Sequence, residues 1–302
     1  MIDFDLLEML ACPLDAYAPL EHQDLCVENE LIISGTLKCS KCDREYVITD
    51  GVPDLFPDAE IEAALGKEEL EKWKLALEVF TEWRDKTWSD PAISPIARKS
   101  SVSLKEKFFD FAEIQCRMLL DVGGAGGMSR KYLPESISYY CLDPLPITDH
   151  IKGFPFVRGV GEFLPFKDGA FEGLTVLESL DHLLSPARFF DEAARVLKVG
   201  GRIYVSQNIR GHGLIQKFKT FAEYIAAGQF RKIFETTKLL IVSRNRVSTG
   251  ETHTQHYSET SLREFLERNF DIIKSQEYSD SVFFVAEKKS LIDGDRQSRM
   301  QS

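Results

Sequence analysis

Over its second half the chain alternates short apolar runs with stretches whose apolar residues recur at helical spacing. The runs Met118–Val122, Tyr139–Leu142, Gly173–Leu177, Arg202–Ser206 and Ser281–Ala286 read as strands, with helical patterns between most of them. This alternation predicts an α/β fold built on a doubly wound, mostly parallel sheet, with ligands at the carboxyl ends of its strands. A helix around Leu104–Glu113 leads into the sheet after a loop running from Pro91 to Ser103. Upstream, Asp58–Trp88 is strongly charged and helical, with Trp73, Leu77, Phe80 and Arg84 on one face. Residues 1–56 read differently, as a short helix followed by strands interrupted by a Cys39-Ser40-Lys41-Cys42 turn.

Breaks in this pattern at Pro57 and at Pro91 and Pro95 divide the chain. Residues 1–57 form a small ribbon-like domain, 58–115 a helical linker with the first helices, 116–289 the sheet domain and 290–302 a frayed tail. The ribbon is too small to be stable without a staple or a neighbour. Composition adds that most of the chain folds: 43% of its 302 residues are hydrophobic and 28% charged. A net charge of −11 argues against a long phosphate-tracking surface, which sets nucleic acid aside as the first choice of partner. The amino terminus lacks the basic and apolar regions of a signal peptide, and no apolar run approaches the length of a membrane span, so a cytoplasmic location is expected. Four of the six cysteines lie before residue 43, which points to metal chemistry rather than a disulfide framework.

The first strand of the sheet, Leu119-Leu120-Asp121-Val122, runs directly into Gly123-Gly124-Ala125-Gly126-Gly127 and then a helical stretch, Met128–Tyr132. Glycines there permit positive φ and let a ligand approach the backbone, while a helix start offers free N–H groups. About 20 residues on, the next strand ends in Asp143, a carboxylate able to accept hydrogen bonds from ribose hydroxyls.

From about Leu119 to Ala286 the chain resembles the class I S-adenosylmethionine-dependent methyltransferases, of the type 11-like kind. Their Asp-x-Gly-x-Gly-x-Gly corresponds to Asp121, Gly123, Ala125 and Gly127, with Ala125 in place of the middle glycine. Their Ala-Glu-x-Leu-Pro-Phe-x-Asp-x-x-Phe-Asp resembles Gly161-Glu162-Phe163-Leu164-Pro165-Phe166-Lys167-Asp168-Gly169-Ala170-Phe171-Glu172. Val160 replaces the Asp that often contacts adenine, which moves that contact to backbone groups or to Glu162. Leu180-Asp181-His182-Leu183 and Ala194–Arg202 resemble the segments after strand four and before strand five. The resemblance implies a Rossmann-like fold, S-adenosyl-L-methionine as cofactor, and Asp121, Gly123, Gly124, Ala125, Gly127, Asp143, Gly161, Glu162 and Glu178 as the residues around it.

Methyl transfer is a displacement at an activated sulfonium, so holding the reactants in line supplies most of the catalysis. A general base is needed only where the acceptor loses a proton. Glu178, Asp181 and His182, at the end of strand four, are the candidates; the other reading of His182 is a structural bridge beside the sheet. His256, with His253, precedes a helix signalled by Ser258 or Thr260 with Glu264, where similar enzymes carry a His-x-x-x-Ser/Thr stretch facing the active site. Between strand five and that helix, roughly residues 208–250, the sequence reads as a two-helix cap. From Arg210 to Arg246 it holds eight basic and two acidic residues. That local excess of six positive charges suggests an anionic acceptor or a peripheral membrane contact; a solvated helix face is the other reading.

Cys12-Pro13-Leu14-Asp15 and Cys39-Ser40-Lys41-Cys42 have the spacing of a zinc ribbon. With Leu6–Ala11 before and Tyr46–Pro53 after, the segment resembles the Trm112-like zinc-ribbon family, whose usual Cys-Pro-x-Cys has become Cys-Pro-x-Asp. The resemblance implies one structural zinc on Cys12, Asp15, Cys39 and Cys42, unless Cys26 or His22 replaces Asp15 or the ribbon holds no metal. Trm112-like proteins are activators that dock on methyltransferases of tRNA, rRNA or protein. That resemblance raises a macromolecular substrate, whereas the −11 net charge and the cap favour a smaller one, so the expected function is methyl transfer to a small or carrier-linked anionic acceptor. The rivals are an RNA or protein methyltransferase with a fused activator, and a non-catalytic scaffold that keeps the fold.

Overall fold

The computed structural model describes residues 2–68, 70–71, 73–75, 77–78, 81, 95–124, 127–145, 153–209 and 257–290. Four strands, β1 (Glu21–Glu28), β2 (Leu31–Lys38), β3 (Glu45–Thr49) and β4 (Val52–Pro53), form an antiparallel sheet in chain order. Seven more build the main sheet: β5 (Met118–Val122), β6 (Ser138–Asp143), β7 (Phe156–Arg158), β8 (Phe171–Leu177), β9 (Leu197–Asn208), β10 (Phe270–Tyr278) and β11 (Ser281–Lys288). Their order is β10-β11-β9-β8-β5-β6-β7, parallel from β9 through β7, with β11 antiparallel to β9 and β10 antiparallel to β11. The winding reverses at β5: β6 and β7 lie on one side, β8 and β9 on the other. That reversal opens a crevice at the carboxyl ends of β5 and its neighbours.

Period-two alternation places residues of each strand on opposite faces. Leu120, Val122, Leu142, Ile203, Val205, Val282 and Phe284 enter one buried cluster; Leu119, Tyr139, Cys141, Tyr204, Phe283 and Val285 enter the other. The second face is covered by helix α3 (Pro95–Ala112), whose Phe108 meets Phe283 edge to face and whose Phe109 stacks on Tyr132. On the first face lie α4 (Pro186–Val196), through Phe189, Phe190, Ala193 and Val196, and α5 (Glu259–Asn269), through Leu262 and Leu266.

The amino-terminal ribbon completes this first face. Its helix α1 (Phe4–Met9), capped by the Asp3 carboxylate on the Leu6 N–H at 2.8 Å, buries Leu6 and Leu7. These join Ile2, Leu10, Leu37, Ile48 and Leu55 in the same cluster as Leu142 and Val157 of the main sheet and Leu164 and Phe166 of the segment between β7 and β8. Backbone bonds stitch the junction: Ala11 N–H to Pro165 O at 3.0 Å, Lys167 N–H to Met9 O at 3.0 Å, and Leu55 N–H to Arg158 O at 2.9 Å. Asp54 bridges Arg158 in parallel, covering an edge strand that would otherwise present unpaired groups. Each fully buried leucine at this junction contributes about 1.5–3 kcal/mol, whereas a partly exposed ion pair such as Asp54–Arg158 adds at most about 1 kcal/mol. Burial holds the ribbon in place; the polar contacts fix its register.

Several expectations change. The stretch Met128–Tyr132 is a turn with a single 3-10 turn at Arg130–Tyr132, because Pro134 and the approaching β6 leave no length for a helix. Helix α3 begins at Pro95, where proline suits a first turn, so the expected loop does not reach Ser103. Strand β7 has only three residues and β10 is polar along an exposed edge, so neither shows as an apolar run in the sequence. The helical stretch expected from Asp58 is broken at Gly66, where α2 (Asp58–Leu65) ends, and the described residues from Lys67 to Thr81 are helical again. Ser258 caps α5 with Ser261, not Glu264, returning the hydrogen bond. The cap at 210–250, the tail beyond 290, Phe80, Arg84 and His253 lie outside the described residues.

Candidate functional site

Strand β5 delivers Asp121 and then the glycine turn to the crevice. Asp121 is 1% exposed; its Oδ2 accepts from the Tyr139 hydroxyl at 2.5 Å and its Oδ1 from Thr175 at 2.7 Å. Burial pushes its pKa upward against these donors, so Asp121 ties β5 to both neighbouring strands and shapes the turn from below. Gly123 takes φ +71°, its N–H donating to Leu142 O at 2.8 Å, and a Cβ there would stand 2.6 Å from Ser179 Oγ. Gly127 also takes φ +71°, and a Cβ would meet the Phe154 ring at 2.1 Å. At Gly124 the nearest groups are Cys141 Sγ and the Asp121 carboxylate. Protein neighbours thus account for these three glycines, and Ala125 lies outside the described residues.

Asp143 ends β6 beside this turn. It is 3% exposed, and its Oδ1 accepts from the Leu145 N–H at 2.9 Å. Gly161 and Glu162 follow β7 in a 3-10 turn, where Glu162 is 4% exposed. Its Oε1 accepts from the N–H groups of Leu184 and Ser185 at 2.6 and 3.2 Å, replacing the side-chain cap that Ser185 does not provide for α4. Glu162 therefore serves the helix start, and the backbone of 160–163 is left as the other expected adenine-side contact. The rest of that motif is a clamp. Arg195 donates to Phe166 O and Leu164 O at 2.6 and 2.8 Å and pairs with Glu192 and Asp168.

At the end of β8, Glu178 adopts φ +54°, a strained conformation for a side-chain-bearing residue. Its N–H donates to Ser206 O, and its Oε1 accepts from Ser206 Oγ at 2.5 Å. Burial, with nearby Asp181 adding to it, pushes its pKa upward. Asp181 and His182 share a 3-10 turn with 3.9 Å between Oδ1 and Nε2. Gln207 and the Tyr257 hydroxyl hold this turn at Leu180. Glu178, Asp181 and His182 thus stand together at the carboxyl edge; His256 lies outside the described residues. Lys105 of α3 feels this edge electrostatically: burial pushes its pKa down, and the charges of Asp121 and Glu178 oppose the shift. Its sequence signal was only a lysine on an otherwise packed helix.

In the ribbon, ligand atoms of Cys12, Asp15, Cys39 and Cys42 all lie within 4.8 Å of one another. Cys12 and Cys42 sulfurs are 3.7 Å apart, and Cys39 Sγ lies 3.8 Å from either Asp15 oxygen. A tetrahedron with zinc–sulfur bonds of about 2.3 Å has edges near 3.8 Å, so the donor set fits a four-coordinate zinc. Burial pushes the Cys12 thiol up to about 12, a cost that a bound cation would remove. Asp15 oxygen Oδ1 is oriented by the Tyr17 N–H at 3.0 Å. Cys26 and His22 sit on β1, outside this group.

Residues 120–205 match a family described as a methyltransferase domain, and residues 3–51 match the Trm112p-like proteins. An uncharacterized methyltransferase of Mycobacterium bovis is 30% identical over 104 residues, 32% of this chain and 42% of its own. One from Mycobacterium leprae is 32% identical over 101 residues, 31% of this chain and 38% of its own. The chain spans less than half the length of these curated relatives. Among solved structures, the complex of the Haloferax volcanii Trm112 methyltransferase activator with a methyltransferase superposes with TM-score 0.47 at 15% identity, over 68% of this chain and 98% of that one. A SAM-dependent methyltransferase from Aquifex aeolicus gives 0.42 at 15%, over 61% and 89%. In this chain a segment that matches the Trm112p-like proteins thus precedes one that matches a methyltransferase domain.

Proposed function

We propose that the protein is an S-adenosylmethionine-dependent methyltransferase carrying its own Trm112-like activator. The observation that carries this reading is the meeting of the Asp121–Gly127 turn with buried Asp143 at the switch point, inside the segment matching a methyltransferase domain. The cofactor supplies a methyl group activated on a sulfonium. Asp143 would accept hydrogen bonds from its ribose hydroxyls, the backbone at Gly123 and Gly124 would face it, and the 160–163 turn would border its base. Glu178 lines the floor at the end of β8, and Asp181 or His182 takes a proton where the acceptor must lose one. In-line positioning does the remaining work.

For the acceptor we favour a small or carrier-linked anion, supported by the six-charge excess between Arg210 and Arg246. The second reading, methylation of RNA or protein, is favoured by the Trm112p-like match. Calorimetric titration tests the cofactor: the parent should bind adenosylmethionine, and Asp143→Ala should weaken binding by about 1–3 kcal/mol. An unchanged Asp143→Ala affinity removes Asp143 from the site. Labelled adenosylmethionine with extract fractionated into small molecules, lipids, RNA and protein separates the acceptor readings.

A further inference from the structure

The contacts around Arg158 link the ribbon to both loops of the candidate cofactor site. Arg158 ends β7 and is registered directly beside Asp143 at the end of β6; on its other side it bridges Asp54 of the ribbon. The three charged residues therefore stand abreast, Asp143, Arg158, Asp54, along the carboxyl edge. The guanidinium donates from Nη1 to Asp54 Oδ2 at 2.6 Å and from Nε to Pro144 O at 3.3 Å, the carbonyl immediately after Asp143. It also lies 4.7 Å from the centre of the Phe56 ring. The next residue, Gly159, donates its N–H to Asp143 O at 3.2 Å. Phe56 itself, with Ile61 and Leu70, buries Val160, the residue that leads into the Gly161–Glu162 turn.

Both loops are thus tied to ribbon residues 54–56. An arginine suits this place because its planar fork can hold a carboxylate, a carbonyl and a ring face at once, which a lysine cannot. The geometry points to Arg158 as a positioning residue through which ribbon docking sets the Asp143 loop and hence cofactor affinity. The inference rests on the proposed cofactor. It makes ribbon docking and cofactor binding thermodynamically linked, and linkage is reciprocal: the cofactor must tighten the ribbon junction as much as the junction tightens the cofactor.

The test uses the full chain, with adenosylmethionine as the probe, and two readouts. By calorimetry, Asp54→Asn and Arg158→Met should each raise the Kd about five- to tenfold, and Arg158→Lys should fall between parent and Arg158→Met. By hydrogen exchange, adenosylmethionine should slow exchange of the Leu55 N–H in the parent, and this protection should be lost in Asp54→Asn. A residue that served stability alone would lower the melting temperature of the free protein yet leave the ligand-dependent protection intact. If Arg158→Met does not fold, Asp54→Asn decides. Parent-like affinity and protection in Asp54→Asn overturn the coupling while leaving the proposed cofactor standing. A parent that binds no adenosylmethionine overturns both.

Discussion

Single residues at the carboxyl edge divide into those that build the site and those that remain for chemistry. Asp121, Glu162 and the glycines at 123, 124 and 127 are accounted for by strand ties, a helix start and close neighbours. Asp143 and Glu178 carry the larger burden, and Glu178 does so with a strained backbone. Because burial raises its pKa, the folded protein holds this proton more tightly than the unfolded chain does. The stabilisation from that proton is fully present below the ordinary glutamate range and is lost as pH rises through the raised folded value. Glu178→Gln keeps an oxygen for Ser206 but removes the buried charge. It should melt about 2–4 °C above the parent near neutral pH, with the gap closing toward about pH 4, in thermal melts across that range.

Among the elements, the short connection between β5 and β6 departs most from its sequence pattern. The connection has room for one 3-10 turn, so α3 from earlier in the chain supplies the packing that a crossover helix would give. The ribbon brings together three thiols and one carboxylate from segments 24 or more residues apart. Cys12 and Cys39 are buried and come from the two turns, so removing a ligand leaves buried donors without their cation. We expect elemental analysis of protein purified without chelator to give one zinc per chain, and Cys39→Ser to lose it. Protein without zinc would show instead that packing alone holds the ribbon.

At the scale of the molecule, one apolar cluster runs from Ile2 and Leu10 through Leu164 and Phe166 to Phe284 and Ala286. The ribbon is therefore a layer of the main domain rather than an appended module. It should unfold with the sheet: circular dichroism and tyrosine fluorescence should follow one transition, and a chelator should lower that whole transition; two separated transitions would refute the shared core. Apolar patterning alone sets the alternation of strands and helices, because both faces of a parallel sheet must be apolar while its helices need only one apolar stripe. The glycine turn, the carboxylate at Asp143 and the two cysteine turns are equally legible along the chain, since each is a local pattern with a local cause. Folding, not local pattern, settles that Asp15 completes the thiol cluster, that Glu162 caps α4 instead of standing free, and that the charges of Asp121 and Glu178 act on Lys105. It alone placed Arg158 between Asp54 and Asp143, residues 104 and 15 positions away. Such juxtapositions depend on which buried surfaces meet, and apolar periodicity specifies that a face is buried without specifying what covers it.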